Sequence, residues 1–185
     1  MKELSLHILD IAQNSTKAGA SHIEIHVTED ARANRLSFSV IDNGCGIKKS
    51  VLATITNPFS TSRTTRRVGL GLSLLQLAAE RCGGGMTISS EEGVGTTVTA
   101  TFQCDHIDRA PLGDMATTLM TLIMGNPAID FSYIHRVNER VFECHTADIK
   151  RELGDVPITD LSVTQFLTEY AQQHIDNLYR EEDTR

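Results

Sequence analysis

Two short runs in which apolar and polar residues alternate, HIEIHVT (22–28) and LSFSVI (36–41), constrain this chain more than any other feature of its sequence. Alternation at period two puts Ile23, Ile25 and Val27 on one face of an extended strand and His22, Glu24 and His26 on the other, so each strand has one buried side. The polar connection EDARANR lets the two pair as a hairpin. Residues 4–18 read as a helix, with Leu4, Ile8 and Ile11 forming an apolar stripe that Leu9 and Ala12 widen. Gly19 is placed to end it. A second face of the same helix carries His7, Asp10, Asn14 and Lys17, whose offsets of three, four and three keep them in line.

The second strand runs directly into DNGCGI (42–47), a loop by its glycines, and a short helix is expected through 48–55. The stretch NPFSTSRTTRRVG (57–69) is polar and basic, and a loop that long in a compact domain is usually functional. LGLSLLQLAAERC (70–82) is a strong helix stopped by Gly83, Gly84 and Gly85. MTISS (86–90) and TTVTATF (96–102) make a second hairpin. Helix, two strands, two helices and two strands are consistent with a sheet covered on one face by helices. After Cys104 the pattern restarts: a helix over 111–125, strands IDFSYIHRV and RVFECHT turning at Asn138 and Glu139, then helical segments at 146–153 and 162–179. The division expected is residues 1–104 as one domain and 105–185 as a small α/β extension packed against it.

Composition excludes several classes. The net charge of −7 argues against nonspecific nucleic-acid binding, which needs cationic surface. No apolar run approaches the ~20 residues that span a bilayer. The opening MKELSLHILD lacks a basic segment followed by an apolar one, so no signal peptide is expected. Cys45, Cys82, Cys104 and Cys144 are widely spaced and suggest neither a zinc site nor a disulfide framework. Unpaired thiols in an acidic chain point to the cytoplasm.

Four pieces of the first domain make chemical sense together. Asp42 sits where a strand enters a glycine loop; an ionised carboxylate only accepts, which suits the amino group of adenine and not the carbonyl of guanine. Gly44 and Gly46 let the backbone turn sharply beside a flat ring. Gly69, Leu70, Gly71 and Leu72 open a helix after the basic loop, where free N–H groups and the positive helix end attract phosphate. Arg63, Arg66 and Arg67, with the hydroxyls of residues 60–65, are available to close over that phosphate. Asn14 offers an amide oxygen to Mg²⁺, which takes few protein ligands. Lys17 can reach a phosphate one turn on, and Asp10, one turn before, can polarise a water as general base. Singly these are a solvated helix face, a tight turn and a helix start; their order and spacing join them.

In that order the segments resemble the GHKL ATPase superfamily of gyrase B subunits, heat-shock 90 chaperones, histidine kinases and MutL. ILDIAQNSTKAGASHIEIHV looks like its N box, DNGCGI its first glycine box, NPFSTSRTT its F box and lid, VGLGLSLL its second glycine box, and EGVGTTVTATF its closing strand. The resemblance covers residues 4 to 103 and implies a Bergerat-type α/β (α+β) sandwich binding ATP between sheet and lid. It implies Asn14 as the Mg²⁺ ligand, Asp42 as the adenine reader, and Gly44, Gly46, Gly69 and Gly71 as backbone contacts. Thr96 is the adenine-side threonine, or Thr97 if the register differs by one. Lys17 follows the histidine-kinase pattern, while AGASHIEI reads more like MutL. Where the hydrolysing and serine-kinase branches carry Glu, this chain has Asp10, a shorter carboxylate that can act through a displaced water or slow the reaction.

Only 13 residues precede Asn14, so no phosphoacceptor hairpin is expected upstream, and His7 is expected to line the pocket or the surface rather than accept phosphate. Two functions follow from the resemblance: an ATPase or protein kinase acting on a separate protein partner, or an ATP-ordered switch with little turnover. A homodimer is compatible with either.

Overall fold

The structure is a computed structural model and describes residues 2–55 and 70–180. Helix α1 (Leu4–Lys17) precedes strands β1 (His22–Asp30) and β2 (Arg35–Asp42). Helices α2 (Lys49–Ile55) and α3 (Leu70–Arg81) lead to β3 (Gly85–Glu91) and β4 (Gly95–Gln103). Then come α4 (Met115–Gly125), β5 (Asp130–Val137), β6 (Arg140–His145), α5 (Thr146–Leu153) and α6 (Leu161–Tyr179). The first expected hairpin forms as an antiparallel pair with Ile25 opposite Val40 and Val27 opposite Phe38, the apolar residues of both strands on one face.

The strands make one six-stranded sheet in the order β3-β4-β2-β1-β5-β6. Residues 105–185 contribute β5 and β6 to it, and β5 lies parallel to β1 with Ile23 beside Phe131 and Ile25 beside Tyr133. Those four side chains are buried in the same core, so the seam between the two halves of the chain is apolar as well as hydrogen-bonded. Burying side chains of this size contributes roughly 1.5–3 kcal/mol each. Helices α3, α1, α4 and α6 pack side by side against that face. The apolar stripe of α1 (Leu4, Ile8, Ile11) is buried there. Helix α4 is apolar on most of its circumference because it is flanked by α1 on one side and α6 on the other.

Helix α4 starts at Met115, four residues later than the 111 expected. Pro111 and Leu112 instead accept backbone hydrogen bonds from Leu4 (3.0 Å) and Ser5 (2.7 Å), satisfying N–H groups in the first turn of α1. Asp114 then caps α4 by accepting from the Thr117 N–H. On the sheet face opposite the helices, the carboxylate of Glu24 lies between His26 (3.0 Å) and His22 (3.4 Å). No group of three His, Cys, Asp or Glu among the described residues is arranged to hold a metal.

A polar cluster interrupts the core at the far end of β1. Strand β1 extends past the alternating run, so Glu29 falls on the helix-covered face beside His135, which is fully buried. The His135 ring bonds the Tyr133 hydroxyl at 2.8 Å and approaches the Glu29 carboxylate at 3.4 Å. Tyr179, at the end of α6, donates to the same carboxylate. Burial raises the Glu29 pKa, but the hydrogen bonds from His135 and Tyr179 outweigh it and hold the carboxyl below its usual range.

Candidate nucleotide site

The site forms where the C-terminal end of β2 meets the C-terminal end of α1. Asp42 is half-buried, and both of its oxygens are engaged: the Gly44 N–H donates to Oδ1 at 2.9 Å, and the Ser15 hydroxyl donates to Oδ2 at 2.6 Å. Ser15 is itself buried on α1, with its oxygen 3.3 Å from the Ile11 carbonyl. A carboxylate fixed by two donors keeps lone pairs for a third and has little freedom to turn away. Sequence reading passed over Ser15. Its one signal was position, since it follows Asn14 and so faces inward while Asn14 faces out.

The DNGCGI loop is pinned on both sides. The Asn43 side chain accepts from the N–H groups of Ser21 (2.9 Å) and His22 (3.0 Å). The Cys45 N–H donates to the Ala18 carbonyl at 2.9 Å, tying the loop to the end of α1. Towards the other hairpin, the Gly93 N–H donates to the Cys45 carbonyl, and the Ile47 N–H donates to the Ser90 hydroxyl. Gly46 has φ +66°, and a Cβ there would stand 2.0 Å from the Glu91 carbonyl oxygen. Gly95, at φ +148°, passes so close to the Asp42 carbonyl that a Cβ would meet it at 1.9 Å. Gly95 was also missed by sequence reading, although it stands in the GVGTT run. Gly44 is buried against Ala18 and Asp42.

Strand register distinguishes the two candidate threonines. Thr96 of β4 is directly opposite Asp42 of β2, whereas Thr97 is opposite Ile41 and projects to the other face. The Thr96 hydroxyl is 2.9 Å from that of Ser90, whose proton reaches the Gly95 carbonyl. Beside this pair opens a cleft of about 980 Å³ lined by Asp42, Ile47, Lys48, Gly95 and both Thr96 and Thr97 among others. Asp10, Asn14 and Gly71 do not line it.

Asp10 is half-buried on α1 and meets the start of α3: a Cβ on Gly71 would be 3.1 Å from its Oδ2. A side chain at position 71 would crowd that carboxylate without meeting backbone. Asn14 and Lys17 are exposed on α1, and neither side chain has a hydrogen-bond partner among the described residues. An unengaged amide oxygen one turn from Asp10 fits the requirement of a hard cation for an oxygen donor. Leu70 begins α3, and Leu72 turns into the core at 7% exposure. Gly69 and the arginines Arg63, Arg66 and Arg67 lie outside the described residues, as does the whole 57–69 loop.

His7 is buried rather than on the surface, at 3% exposure, and its Nδ1 has no hydrogen-bond partner among the described residues. Burial, with the positive chain terminus, lowers its pKa, while Asp10 pulls the other way. The described cysteines are unpaired; Cys45 is exposed in the loop, and burial raises the pKa of Cys82, Cys104 and Cys144.

Residues 2–106 match the family described as histidine kinase-, DNA gyrase B- and HSP90-like ATPases. Among curated relatives, the Non-motile and phage-resistance protein of Caulobacter vibrioides is 33% identical over 115 residues, 59% of this chain and 14% of that protein. The sensor histidine kinase ZraS of Escherichia coli is 30% identical over 106 residues, 57% of this chain and 23% of that one. The chain thus spans less than a quarter of the length of either relative. The ATPase domain of Aquifex aeolicus MutL, solved with ADP, superposes with a TM-score of 0.50 at 16% identity, covering 83% of this chain and 68% of that one. That likeness is one of fold. No helix among the described residues is long and apolar enough to cross a membrane.

Proposed function

We propose that this chain, which belongs to the histidine kinase-, DNA gyrase B- and HSP90-like ATPase family, binds ATP with Mg²⁺ and hydrolyses or transfers its γ-phosphate, acting on a separate protein. The observation that carries the reading is the Asp42 carboxylate, fixed by Ser15 and Gly44 and facing Thr96 across the strands. Asp42 accepts from the adenine amino group, and the guanine carbonyl in its place would meet a second acceptor. Asn14 supplies the protein oxygen to Mg²⁺, which when bound offsets charge on the phosphates. Lys17 reaches a phosphate from the next turn of α1. The N–H groups at the start of α3 hold phosphate oxygens. Asp10, at the junction of α1 and α3, orients a water and takes its proton.

The second reading is a switch in which nucleotide binding exposes or orders a partner surface with little turnover. Asp10 favours it, because its carboxylate is one methylene shorter than the Glu of the hydrolysing branches. Phosphate release by the wild type and by Asp10→Asn separates the two. Turnover that Asp10→Asn abolishes supports an enzyme, and nucleotide binding without turnover in either supports the switch. Loss of the Mg²⁺-dependent part of ATP affinity in Asn14→Ala tests the metal role; a mutant with full metal enhancement rejects it.

A further inference from the structure

Strand β6 ends the sheet. It pairs with β5 in unbroken register from Ser132 opposite His145 to Val137 opposite Arg140, and has no strand neighbour on its other side among the described residues. It contains no proline and no bulge, two of the devices that protect such an edge. Next to it opens a groove of about 650 Å³ between α5 and α6. Its wall on α6 displays aromatic surface that a folded core would bury: Phe166 is 64% exposed and Tyr170 38%. The two rings stack at 6.0 Å, and Tyr170 lies 4.0 Å from the His174 ring, a ladder running along α6. Leu153 adds aliphatic surface from α5.

Carboxylates outnumber basic groups in the lining of this apolar surface. Glu143, Asp148 and Glu152 line the groove, Glu143 within 3.6 Å of the His145 ring that also lines it, and no Lys or Arg among the described residues does. Arg151 engages Asp148 at 2.9 Å, whereas Glu152 has no ion-pair or hydrogen-bond partner among the described residues. Carboxylates beside open aromatic faces favour cations, since both the Coulomb term and the ring quadrupole attract Lys or Arg. An unpaired strand edge favours an extended backbone, which can add as a further strand. A second copy of this chain has a net charge of −7 and would bring like charge to this acidic edge, so charge disfavours that occupant.

We propose that the α5–α6 groove with the β6 edge docks an extended segment of a partner protein, apolar or aromatic at its centre and flanked by Lys or Arg. This deepens the partner clause of the proposed function and rests on it for its purpose, but the binding itself requires no nucleotide. The probe is a fluorescein-labelled octapeptide, RKVFVLKR, titrated by fluorescence anisotropy against the full chain without ATP, with EEVFVLEE and RKSGSSKR as controls. RKVFVLKR should bind, weaken as salt is raised, and bind far better than either control. Glu143→Lys with Glu152→Lys should weaken it by about tenfold or more through lost charge attraction. Phe166→Ala, at an exposed position that spares the fold, should weaken it as well. Asp42→Asn should leave it unchanged, so loss of nucleotide binding and loss of peptide binding stay distinguishable. Equal binding of all three peptides, no binding of RKVFVLKR, or full affinity in the Glu143/Glu152 variant would overturn the proposal. Dimerisation that competes with the peptide in size-exclusion chromatography would also overturn it, by assigning the groove to a second copy.

Discussion

Replacing Asp42 by Asn tests the core of the nucleotide reading, because the structure indicates what the variant loses and what it keeps. Asp42 accepts from the Gly44 N–H on Oδ1 and from the Ser15 hydroxyl on Oδ2. An Asn side chain can keep its oxygen towards Gly44 and turn its NH₂ towards Ser15. Ser15 can then accept, because its own proton has an alternative acceptor in the Ile11 carbonyl 3.3 Å away. The substitution therefore leaves no buried donor facing a donor, and the fold should survive. What is lost is the charge on the acceptor proposed to face adenine, together with one acceptor oxygen. A hydrogen bond to a charged group contributes about 1.5–3 kcal/mol, which corresponds to roughly 10- to 150-fold in affinity. Calorimetric titration of wild type and Asp42→Asn with ATP and with GTP measures this, and a thermal melt verifies folding. Wild type should prefer ATP, and the variant should lose most of that preference. Equal ATP affinity in the two proteins, or equal ATP and GTP affinity in the wild type, would refute the role of Asp42.

Three further outcomes follow from single contacts. Gly71→Ala should leave the melting temperature unchanged or higher, since Ala favours a helix by about 1 kcal/mol, yet lower ATP turnover because its Cβ crowds Asp10 Oδ2; an unchanged kcat separates Asp10 from the chemistry. Gly46→Ala places a side chain at φ +66° against the Glu91 carbonyl and should cost about 2–4 kcal/mol, read as a clear drop in melting temperature. His7 is buried with a lowered pKa, so the unfolded chain binds its proton more readily, and stability from this residue is present above pH ~6.5 and lost as pH falls below it. His7→Leu should flatten that part of the stability–pH curve measured by urea unfolding, and an unaltered slope would show that another group titrates.

The sequence by itself determined every element whose signal is local. The alternation in 22–28 and 36–41 specified two strands and which face each would bury. The stripe through Leu4, Ile8 and Ile11 specified α1, whereas the line through His7, Asp10, Asn14 and Lys17 did not stay on one side of the surface: His7 is buried, and only Asn14 and Lys17 are exposed. Motif order pointed to the family that the comparison then showed. Periodicity records a residue's own backbone and face, but contains nothing about which distant strand will lie alongside. Tertiary structure alone decided that β5 joins β1 in parallel, carrying residues 105–185 into the same sheet. It decided that Thr96 rather than Thr97 faces Asp42, because that depends on the β2–β4 register. It also decided that Ser15 holds Asp42 across 27 residues of sequence, and that Glu29, one polar residue among several at the end of a strand, turns inward to His135 and Tyr179. Each of these is a pairing between separated segments, stabilised only once the sheet has formed and both partners have been withdrawn from water.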